Sequence, residues 1–203
     1  MEKSRRKKYG HMISLTQPDS KTTFLDIGVN DTEYSPFDNY FEKHFPYQQN
    51  ITALSIIPLD KFPKRYPHVK TIVYDGGVFP FNDNEFSVVI SNAVIEHVGN
   101  RKEQIDFINE ITRVGKQFYF TTPAKEFPVE IHTNFPFIHW LPKKYFNFMV
   151  TSLGKGWAAG DYMNLLSKNN LEEVLLLSNC NNYKIITHWF GPLPLHYTVH
   201  GYS

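Results

Sequence analysis

The residues with the clearest potential for chemistry follow an apolar segment in the middle of the chain. The segment from Phe86 to Ile90 is predicted to be a buried strand, and the polar residues Ser91 and Asn92 come directly after it. Glu96 and His97 follow within a few residues. Open α/β sheets bind their ligands in the crevice beyond the carboxyl ends of the strands. We therefore expect a small-molecule site here, and an enzyme is the leading interpretation.

Two other predicted strands end in residues that suit a ligand site. The first ends at Asp26 and Gly28, and another, ending at Tyr74, is followed by Asp75, Gly76 and a second glycine. Glycine can adopt a positive φ and lets a ligand approach the backbone closely, whereas an aspartate can accept hydrogen bonds from a turn or from a ligand. Each aspartate also has a structural interpretation as the cap of its own turn, and the residues alone leave both open.

Strands and helices alternate along most of the chain. Apolar spacing predicts a helix over 35–45 with Ser35 as its N-cap, and another from Arg101 to Val114, preceded by a capping box from Asn100 to Glu103. The other predicted elements are strands at 51–57, 68–74, 117–122, 184–190 and 195–200 and short helices at 60–66, 162–167 and 171–177. This order requires right-handed crossovers, so we expect a mostly parallel sheet, closed by a C-terminal antiparallel hairpin.

The length of 203 residues fits one domain with a sizeable core, so residues 1–203 are expected to form a single domain. Residues 1–20 are polar and basic and are predicted to form an N-terminal helix or arm. Residues 124–160 begin with a proline- and aromatic-rich stretch that is too long and too apolar for a simple connector. We interpret this segment as a lid that shapes an acceptor pocket.

Composition excludes several classes of function. The chain has 21 Lys and Arg against 20 Asp and Glu, and a net charge of +1 gives no bulk attraction to nucleic acid or to a membrane. The single cysteine, Cys180, excludes an internal disulfide and a multi-cysteine zinc site, and the spacing of Glu130, His132 and His139 fits no metal motif. With no apolar segment near the ~20 residues of a membrane span, we expect a cytoplasmic protein. The oligomeric state is left open.

The turns hold no motif for binding phosphates. Only Gly28 stands where a dinucleotide-binding fold has G-x-G-x-x-G, and the chain has no G-x-x-x-x-G-K-[ST] segment. A ligand that offers a ribose, an amino-acid end and a flat purine, without phosphates, needs only one glycine together with carboxylates and backbone groups.

Three segments in order resemble the class I S-adenosylmethionine-dependent methyltransferases of the type 11-like family. They are FLDIG at 24–28, YDGGVFPFNDNEFSVVISNAVIEHVG at 74–99 and FYFTTP at 118–123, and the similarity spans roughly residues 22–142. The resemblance implies a Rossmann-like three-layer sandwich with a seven-stranded, mostly parallel sheet. It also implies S-adenosyl-L-methionine as cofactor, S-adenosyl-L-homocysteine as product and a small-molecule acceptor. The segment at 121–142 resembles a subgroup associated with saccharide-type acceptors.

The resemblance assigns cofactor-binding roles residue by residue. Asp26 and Gly28 match the motif whose turn surrounds the methionine part of the cofactor, and Asp75 and Gly76 match the pair that binds adenine. The residues that match the segment alongside the cofactor are Ser91, Asn92 and Ala93.

Two positions depart from the family pattern. Asn30 replaces the second glycine of the first motif, and Ser55 and Ile57 stand where an acidic residue that grips both ribose hydroxyls is expected. The loss of a bidentate charged contact costs on the order of 1.5–3 kcal/mol of affinity. The residues that are candidate substitutes for this acid are Asp31, Glu33 and Asp60.

Proton transfer from a hydroxyl or ammonium acceptor needs a base, and an imidazole is well matched to neutral pH. His97 and His132 are the candidate bases, with Glu130 as an orienting group or alternative base. Glu96 and His97 also have a structural interpretation, as a helix-start carboxylate and a hydrogen-bonded imidazole.

Two other functions stay open. One is a catalytically weak or inactive binding module of the same fold, since the ribose acid is missing. The other is a nucleic-acid methyltransferase that uses the basic N-terminus, although the chain has no N-P-P-Y-type segment for a flipped base.

Overall fold

The computed structural model describes residues 2–130, 133–160 and 163–203. Its α-helices are α1 (Glu2–Thr16), α2 (Tyr40–His44), α3 (Phe62–Arg65), α4 (Arg101–Val114), α5 (Lys143–Ser152) and α6 (Lys168–Leu177). Its strands are β1 (Phe24–Ile27), β2 (Ile51–Ser55), β3 (Lys70–Val73), β4 (Phe86–Asn92), β5 (Gly115–Pro123), β6 (Asn182–Phe190) and β7 (Leu193–Tyr202). Single 3-10 turns occur at Gln48–Asn50, Ile95–His97, Ile138–Trp140 and Gly156–Ala158. No helix of the described residues is long and apolar enough to cross a membrane.

The seven strands form one sheet in the order β3-β2-β1-β4-β5-β7-β6. β1 pairs in parallel with β2 and with β4, and β2 pairs in parallel with β3. The C-terminal strands β6 and β7 are antiparallel. The prediction of a mostly parallel α/β sheet with a C-terminal hairpin is therefore confirmed.

The chain forms two compact units. The first contains the residues up to Ser91, together with Glu110–Tyr119 and Tyr202–Ser203. Its core holds the apolar residues of the central strands and of the helices packed on them, because β1 and β2 lie between layers and are buried almost throughout. The largest side chains of this core are Phe24, Phe41, Phe45, Phe62, Tyr66 and Tyr119.

The second unit contains Asn92–Asn109 and Phe120–Gly201. One of its apolar clusters joins α5 to the turns on either side of it. The buried members of that cluster are Ile138, Phe146, Val150, Ala158 and Met163. This cluster gives the predicted lid segment a packed core of its own.

The loop before β4 is held by one arginine. The Arg113 guanidinium donates to the backbone O of Phe79 at 3.0 Å and of Phe81 at 2.8 Å. It also pairs with Asp83 at 2.9 Å and with Glu110 at 2.6 Å. These bonds fix the path of the chain into β4, and therefore the place where the candidate site residues follow that strand.

The capping box before α4 is confirmed. The backbone N of Asn100 donates to Glu103 Oε2 at 2.6 Å, and Asn100 Oδ1 accepts from the backbone N of Lys102 at 2.9 Å. The reciprocal bonds satisfy backbone donors that the first helical turn leaves open.

The predicted start of the second helix at Ser35 is wrong, since α2 begins only at Tyr40. Asp38 Oδ2 accepts from the backbone N of Tyr34 at 2.9 Å and of Ser35 at 3.1 Å, which closes a turn before the helix. Asn39 then adopts a left-handed conformation with φ +49°. Local side-chain bonds of this kind compete with helix formation.

The helix predicted over 162–167 is absent from residues 163–167, and Tyr162 lies outside the described residues. Ser167 is instead the N-cap of α6, where its side chain accepts from the backbone N of Asn170. A capping serine favours a helix start at this point and not a helix end.

Candidate active site

The parallel register brings three strand ends to the same edge of the first unit. Ile27 lies opposite Leu54 of β2 and Ser91 of β4. Gly28 follows β1 with φ +88°, and its backbone N donates to the O of Leu54 at 3.0 Å. Gly28, Ser55 and Ser91, which were predicted separately from distant parts of the sequence, are therefore brought together.

The end of β3 joins the same edge. The backbone N of Tyr74 donates to the O of Ser55 at 3.0 Å, and the turn Asp75-Gly76-Gly77 follows. Gly76 and Gly77 adopt φ +92° and +76°, and a Cβ added to either would meet no atom within 4 Å. Asp75 is exposed, and its carboxylate makes no hydrogen bond to the part of the chain that the structure describes. This turn is open to a ligand.

Asp26 in β1 lies beside a second carboxyl group, that of Glu42 in α2. Glu42 is fully buried, and neither of its carboxylate oxygens has a hydrogen-bond partner within the described residues. Burial raises the pKa of the Asp26 carboxyl well above its usual range, and the neighbouring Glu42 raises it further, while the Arg5 guanidinium opposes the rise. Burial also raises the pKa of Glu42. The pair therefore retains a proton where isolated carboxyls are ionised.

The two positions that depart from the family pattern make local contacts. Ser55 is buried, and its hydroxyl donates to the O of Ile57 at 2.9 Å and accepts from the N of the same residue at 3.1 Å. Ile56 and Ile57 follow it and are 66% and 50% exposed. The backbone N of Asn30 donates to Asn39 Oδ1 at 3.0 Å. The described end of β2 is thus apolar where the family has a carboxylate.

Two of the three candidate substitutes for the ribose acid are engaged within the protein. Asp31 Oδ1 accepts from the backbone N of Phe62 at 2.9 Å and caps α3. Glu33 accepts from Tyr66 Oη at 2.5 Å and pairs with Lys43 at 3.0 Å. Asp60 is exposed.

The end of β4 is hydrogen bonded to Thr121 of β5. Asn92 Oδ1 accepts from Thr121 Oγ1 at 2.9 Å, and the backbone N of Ala93 donates to the O of Thr121 at 2.8 Å. Ala93 has φ +58°, a left-handed conformation that a residue with a Cβ adopts at a cost. Glu96 is fully buried and accepts from Thr122 Oγ1 at 3.1 Å, whereas His97 is half-buried.

Glu130 is a buried carboxylate within its own turn. It is 2% exposed, and its Oε2 accepts from the backbone N of Thr133 at 2.5 Å. His132, the other candidate of this segment, lies outside the described residues. Burial lowers the pKa of the nearby His139, and the charge of Glu130 partly opposes that effect. No group of three His, Cys, Asp or Glu side chains among the described residues is placed to hold a metal ion.

A cavity of about 510 Å³ lies wholly within the second unit. Trp140 contributes an aromatic wall to it, and its polar lining residues are Arg101, Gln104, Lys125, His139, Lys143, Asn164 and Asn170. The predicted lid segment at 124–160 supplies Lys125, His139, Trp140 and Lys143 to this lining. Sequence reasoning did not predict the other polar lining residues, Arg101, Gln104, Asn164 and Asn170, because they lie outside that segment.

Comparison with known proteins finds similarity over one segment of the chain. Residues 25–118, slightly less than half of the chain, match the family model described as a methyltransferase domain. The chain as a whole has the fold of S-adenosylmethionine-dependent methyltransferases. No curated protein sequence matches it.

Solved structures share the methyltransferase fold at low sequence identity. The PH0226 protein of Pyrococcus horikoshii is 14% identical with a TM-score of 0.62, over 100% of this chain and 91% of that one. The geranyl diphosphate C-methyltransferase of Streptomyces coelicolor is 11% identical with a TM-score of 0.62, over 97% and 75%. The CurJ carbon methyltransferase is 14% identical with a TM-score of 0.57, and this chain covers only 49% of it.

S-adenosylmethionine, the cofactor of this class, fits the edge of the first unit at two points. The open turn at Gly76 leaves room beside the free carboxylate of Asp75, and the positive φ of Gly28 leaves the backbone accessible. The fit fails at the ribose, because the Ser55 hydroxyl is occupied by its own turn. The edge therefore leaves space at the two places that the resemblance assigns to adenine and methionine, and Ser55 offers no carboxylate for the ribose.

Replacement of Glu42 by Gln is expected to change how stability depends on pH. A carboxyl whose folded pKa is raised stabilises the protein fully below its unfolded pKa, and that contribution is lost as pH rises through the folded pKa. The variant is therefore expected to be more stable than the wild type at about pH 8, with a difference that shrinks toward about pH 5. Urea unfolding across this range measures the difference, with Glu172→Gln, a partly exposed carboxylate, as the control. Parallel curves for wild type and Glu42→Gln would contradict a raised pKa of the Glu42 carboxyl.

Replacement of Ser55 by Asp is expected to strengthen cofactor binding. It restores a carboxylate where the family has one, and a charged hydrogen bond is worth about tenfold or more in affinity. Calorimetry with S-adenosylhomocysteine measures the change, and Ser55→Asn controls for the added size without the charge. Equal affinities for the folded Asp and Asn variants would place the ribose contact elsewhere.

Proposed function

We propose that this chain transfers the methyl group of S-adenosylmethionine to a small-molecule or saccharide-type acceptor. The observation that carries the proposal is the open edge at which Gly28, Ser55 and the turn Asp75–Gly77 meet. An enzyme that binds this cofactor needs backbone and carboxylate groups at such an edge and no phosphate grip.

The residues of the first unit hold the cofactor in this proposal. The Asp75 carboxylate accepts from the adenine amino group, Gly76 lets the ring approach the backbone, and the Gly28 turn surrounds the methionine end. Ser91 continues the site along β4. The bound cofactor supplies an electrophilic methyl carbon on a sulfonium.

The chain's own contribution to the rate is positioning and proton removal. An in-line displacement is accelerated chiefly when nucleophile and methyl carbon are held collinear with water excluded. His97 takes the proton of a hydroxyl or ammonium acceptor, and His132 is the alternative base. Buried Glu130 orients the lid segment. The hydrogen bonds from Asn92 and Ala93 to Thr121 support this role, because they tie the chain to β5 just before the short turn of His97.

The solved structures support a small organic acceptor. One neighbour acts on geranyl diphosphate, and another is a carbon methyltransferase. The saccharide-type acceptor is our own narrower proposal, based on the subgroup that the segment at 121–142 resembles.

A specific observation favours a second candidate, a weakly active or inactive binding module. The family's ribose carboxylate is replaced by Ser55, whose hydroxyl bonds within its own turn. The carboxylates of Asp31 and Glu33 accept hydrogen bonds from within the protein and are not held for a ribose. The active methyltransferase and the inactive binding module differ in whether S-adenosylmethionine binds at about millimolar concentration or below.

Cofactor binding is tested by calorimetry with S-adenosylmethionine and S-adenosylhomocysteine. The wild type is expected to bind both, and Asp75→Asn is expected to bind about tenfold more weakly because it loses a charged acceptor. Asp106→Asn, an exposed helical carboxylate in the same chain, serves as the control. At about millimolar ligand, calorimetry misses only complexes whose binding free energy is weaker than about −4 kcal/mol. Absence of binding at this concentration would favour the binding-module alternative.

Replacement of His97 by Ala is expected to lower turnover by about 10²–10⁴-fold while S-adenosylhomocysteine still binds with the wild-type affinity. S-adenosylhomocysteine release in the presence of a panel of hydroxylated sugars measures turnover. His132→Ala is assayed in the same way, and His68→Ala, an exposed imidazole, is the control. Undiminished turnover in both test variants would remove both residues from the mechanism.

A further inference from the structure

The second unit exposes a group of large apolar side chains. Their exposed fractions run from 38% to 67%. Single exposed apolar side chains are normal on a protein surface, whereas a contiguous apolar patch marks a site of interaction. We call this group the aromatic face, and its six members are Phe137, Trp140, Leu141, Trp189, Phe190 and Leu193.

The turn between β6 and β7 carries half of the aromatic face and lies beside the start of the lid segment. The backbone N of Ala124, directly after β5, donates to the O of Leu195 at 3.2 Å. The Phe127 ring lies 6.2 Å from the Phe190 ring between centroids, edge to face. These contacts bring the tip of the hairpin against the lid segment within the same unit.

The lid segment carries the other half. The backbone N of Phe137 donates to the O of Pro128, and the rings of Phe137 and Trp140 lie 5.1 Å apart between centroids. Phe137 has φ +62°, a left-handed conformation that a bulky residue adopts only at a cost. Pro128 follows Phe127 directly in the chain, so the two halves of the face form one continuous strip.

The two segments that supply the aromatic face have no acidic residue. Residues 131–160 contain three lysines and no Asp or Glu, and residues 185–203 contain no charged side chain of either sign. The strip is therefore apolar with positive charge along its lid side. Such a surface complements a partner that is both apolar and negatively charged.

Two of these lysines keep their charge free of carboxylates. Lys144 is exposed and pairs with no acidic side chain of the described residues. Lys155 Nζ donates to the O of Thr133 and lies 5.1 Å from the centroid of the Phe135 ring, and both partners are uncharged.

These charges favour a lipid bilayer over a second copy of the chain. A two-fold interface uses the same patch on both subunits, so a second copy would set lysines against lysines, which is unfavourable. A bilayer with anionic phospholipids offers negative headgroups directly above an apolar layer. Tryptophan rings are enriched at that boundary, and neighbouring lysines are attracted to its negative surface.

We propose that the aromatic face binds the surface of a bilayer that contains anionic phospholipids. Trp189 and Phe190 at the hairpin tip and Trp140 on the lid enter the headgroup region, and Lys144 contacts lipid phosphate groups. Trp140 and Leu141 also line the cavity of about 510 Å³, so the bilayer covers the surface beside that cavity. The attraction is local, and a net charge of +1 for the whole chain places no limit on it.

The test is co-sedimentation of the full chain with vesicles, without cofactor. Vesicles of equal parts phosphatidylcholine and phosphatidylglycerol are expected to bind the wild type more tightly than vesicles of phosphatidylcholine alone, and added NaCl is expected to weaken the binding. Absence of binding to the mixed vesicles would overturn the proposal. This measurement needs no variant, so it decides the proposal even where a variant does not fold.

Matched variants assign the binding to the aromatic face. Trp189→Ser and Phe137→Ser are each expected to weaken binding to the mixed vesicles about tenfold or more, because each removes a large apolar side chain. Leu176→Ser, at a 76% exposed position of α6 outside the face, is expected to bind as the wild type does. Equal losses in Trp189→Ser and Leu176→Ser would overturn the assignment.

A second pair of variants tests the charge. Lys144→Gln is expected to weaken binding to the mixed vesicles about fivefold and to leave binding to phosphatidylcholine unchanged. Lys116→Gln, which removes an exposed charge at the other end of β5, is the control. Sedimentation velocity without vesicles completes the test. A wild-type dimer that Trp189→Ser dissociates would assign the face to a second copy and would overturn the proposal.

Discussion

The candidate site depends on the parallel register of β1 with β2 and β4. β2 is buried at every position, so an alternation of apolar and polar residues does not select its register. The selection comes from the strand ends, where the backbone N of Gly28 binds the O of Leu54 and the N of Tyr74 binds the O of Ser55. A slip of one residue would break both bonds and would move the glycine turns away from one another.

The paired carboxyls of Asp26 and Glu42 oppose stability at the place where the site needs polar groups. The pKa values of both carboxyls are raised in the folded protein. The free energy of unfolding therefore falls as pH rises and the two groups are forced to ionise. The Arg5 guanidinium of α1 favours the ionised form of Asp26 and is itself buried enough for its pKa to be lowered. One charge of the basic N-terminal segment, that of Arg5, thus acts on Asp26 in β1. Perturbed carboxyls beside a glycine turn are typical of functional sites.

The parts of the fold that were predicted correctly depend on contacts between residues close in sequence or on the spacing of apolar residues along the chain. The bond from Asn100 to Glu103 joins residues three apart, and the strands are apolar runs bounded by breakers. The error at Ser35 has the same origin, since the competing acceptor was Asp38, three residues away, and both residues favour turns as well as helix starts. Local pattern alone does not separate these outcomes.

The candidate site was predictable only where a motif marks it. Gly28 and Asp75 could be found because a glycine turn after a strand is visible in the sequence. The engagement of Asp31 with α3 and of Glu33 with Tyr66 joins residues about thirty positions apart, so both stayed equal candidates for the ribose acid until the tertiary contacts were known.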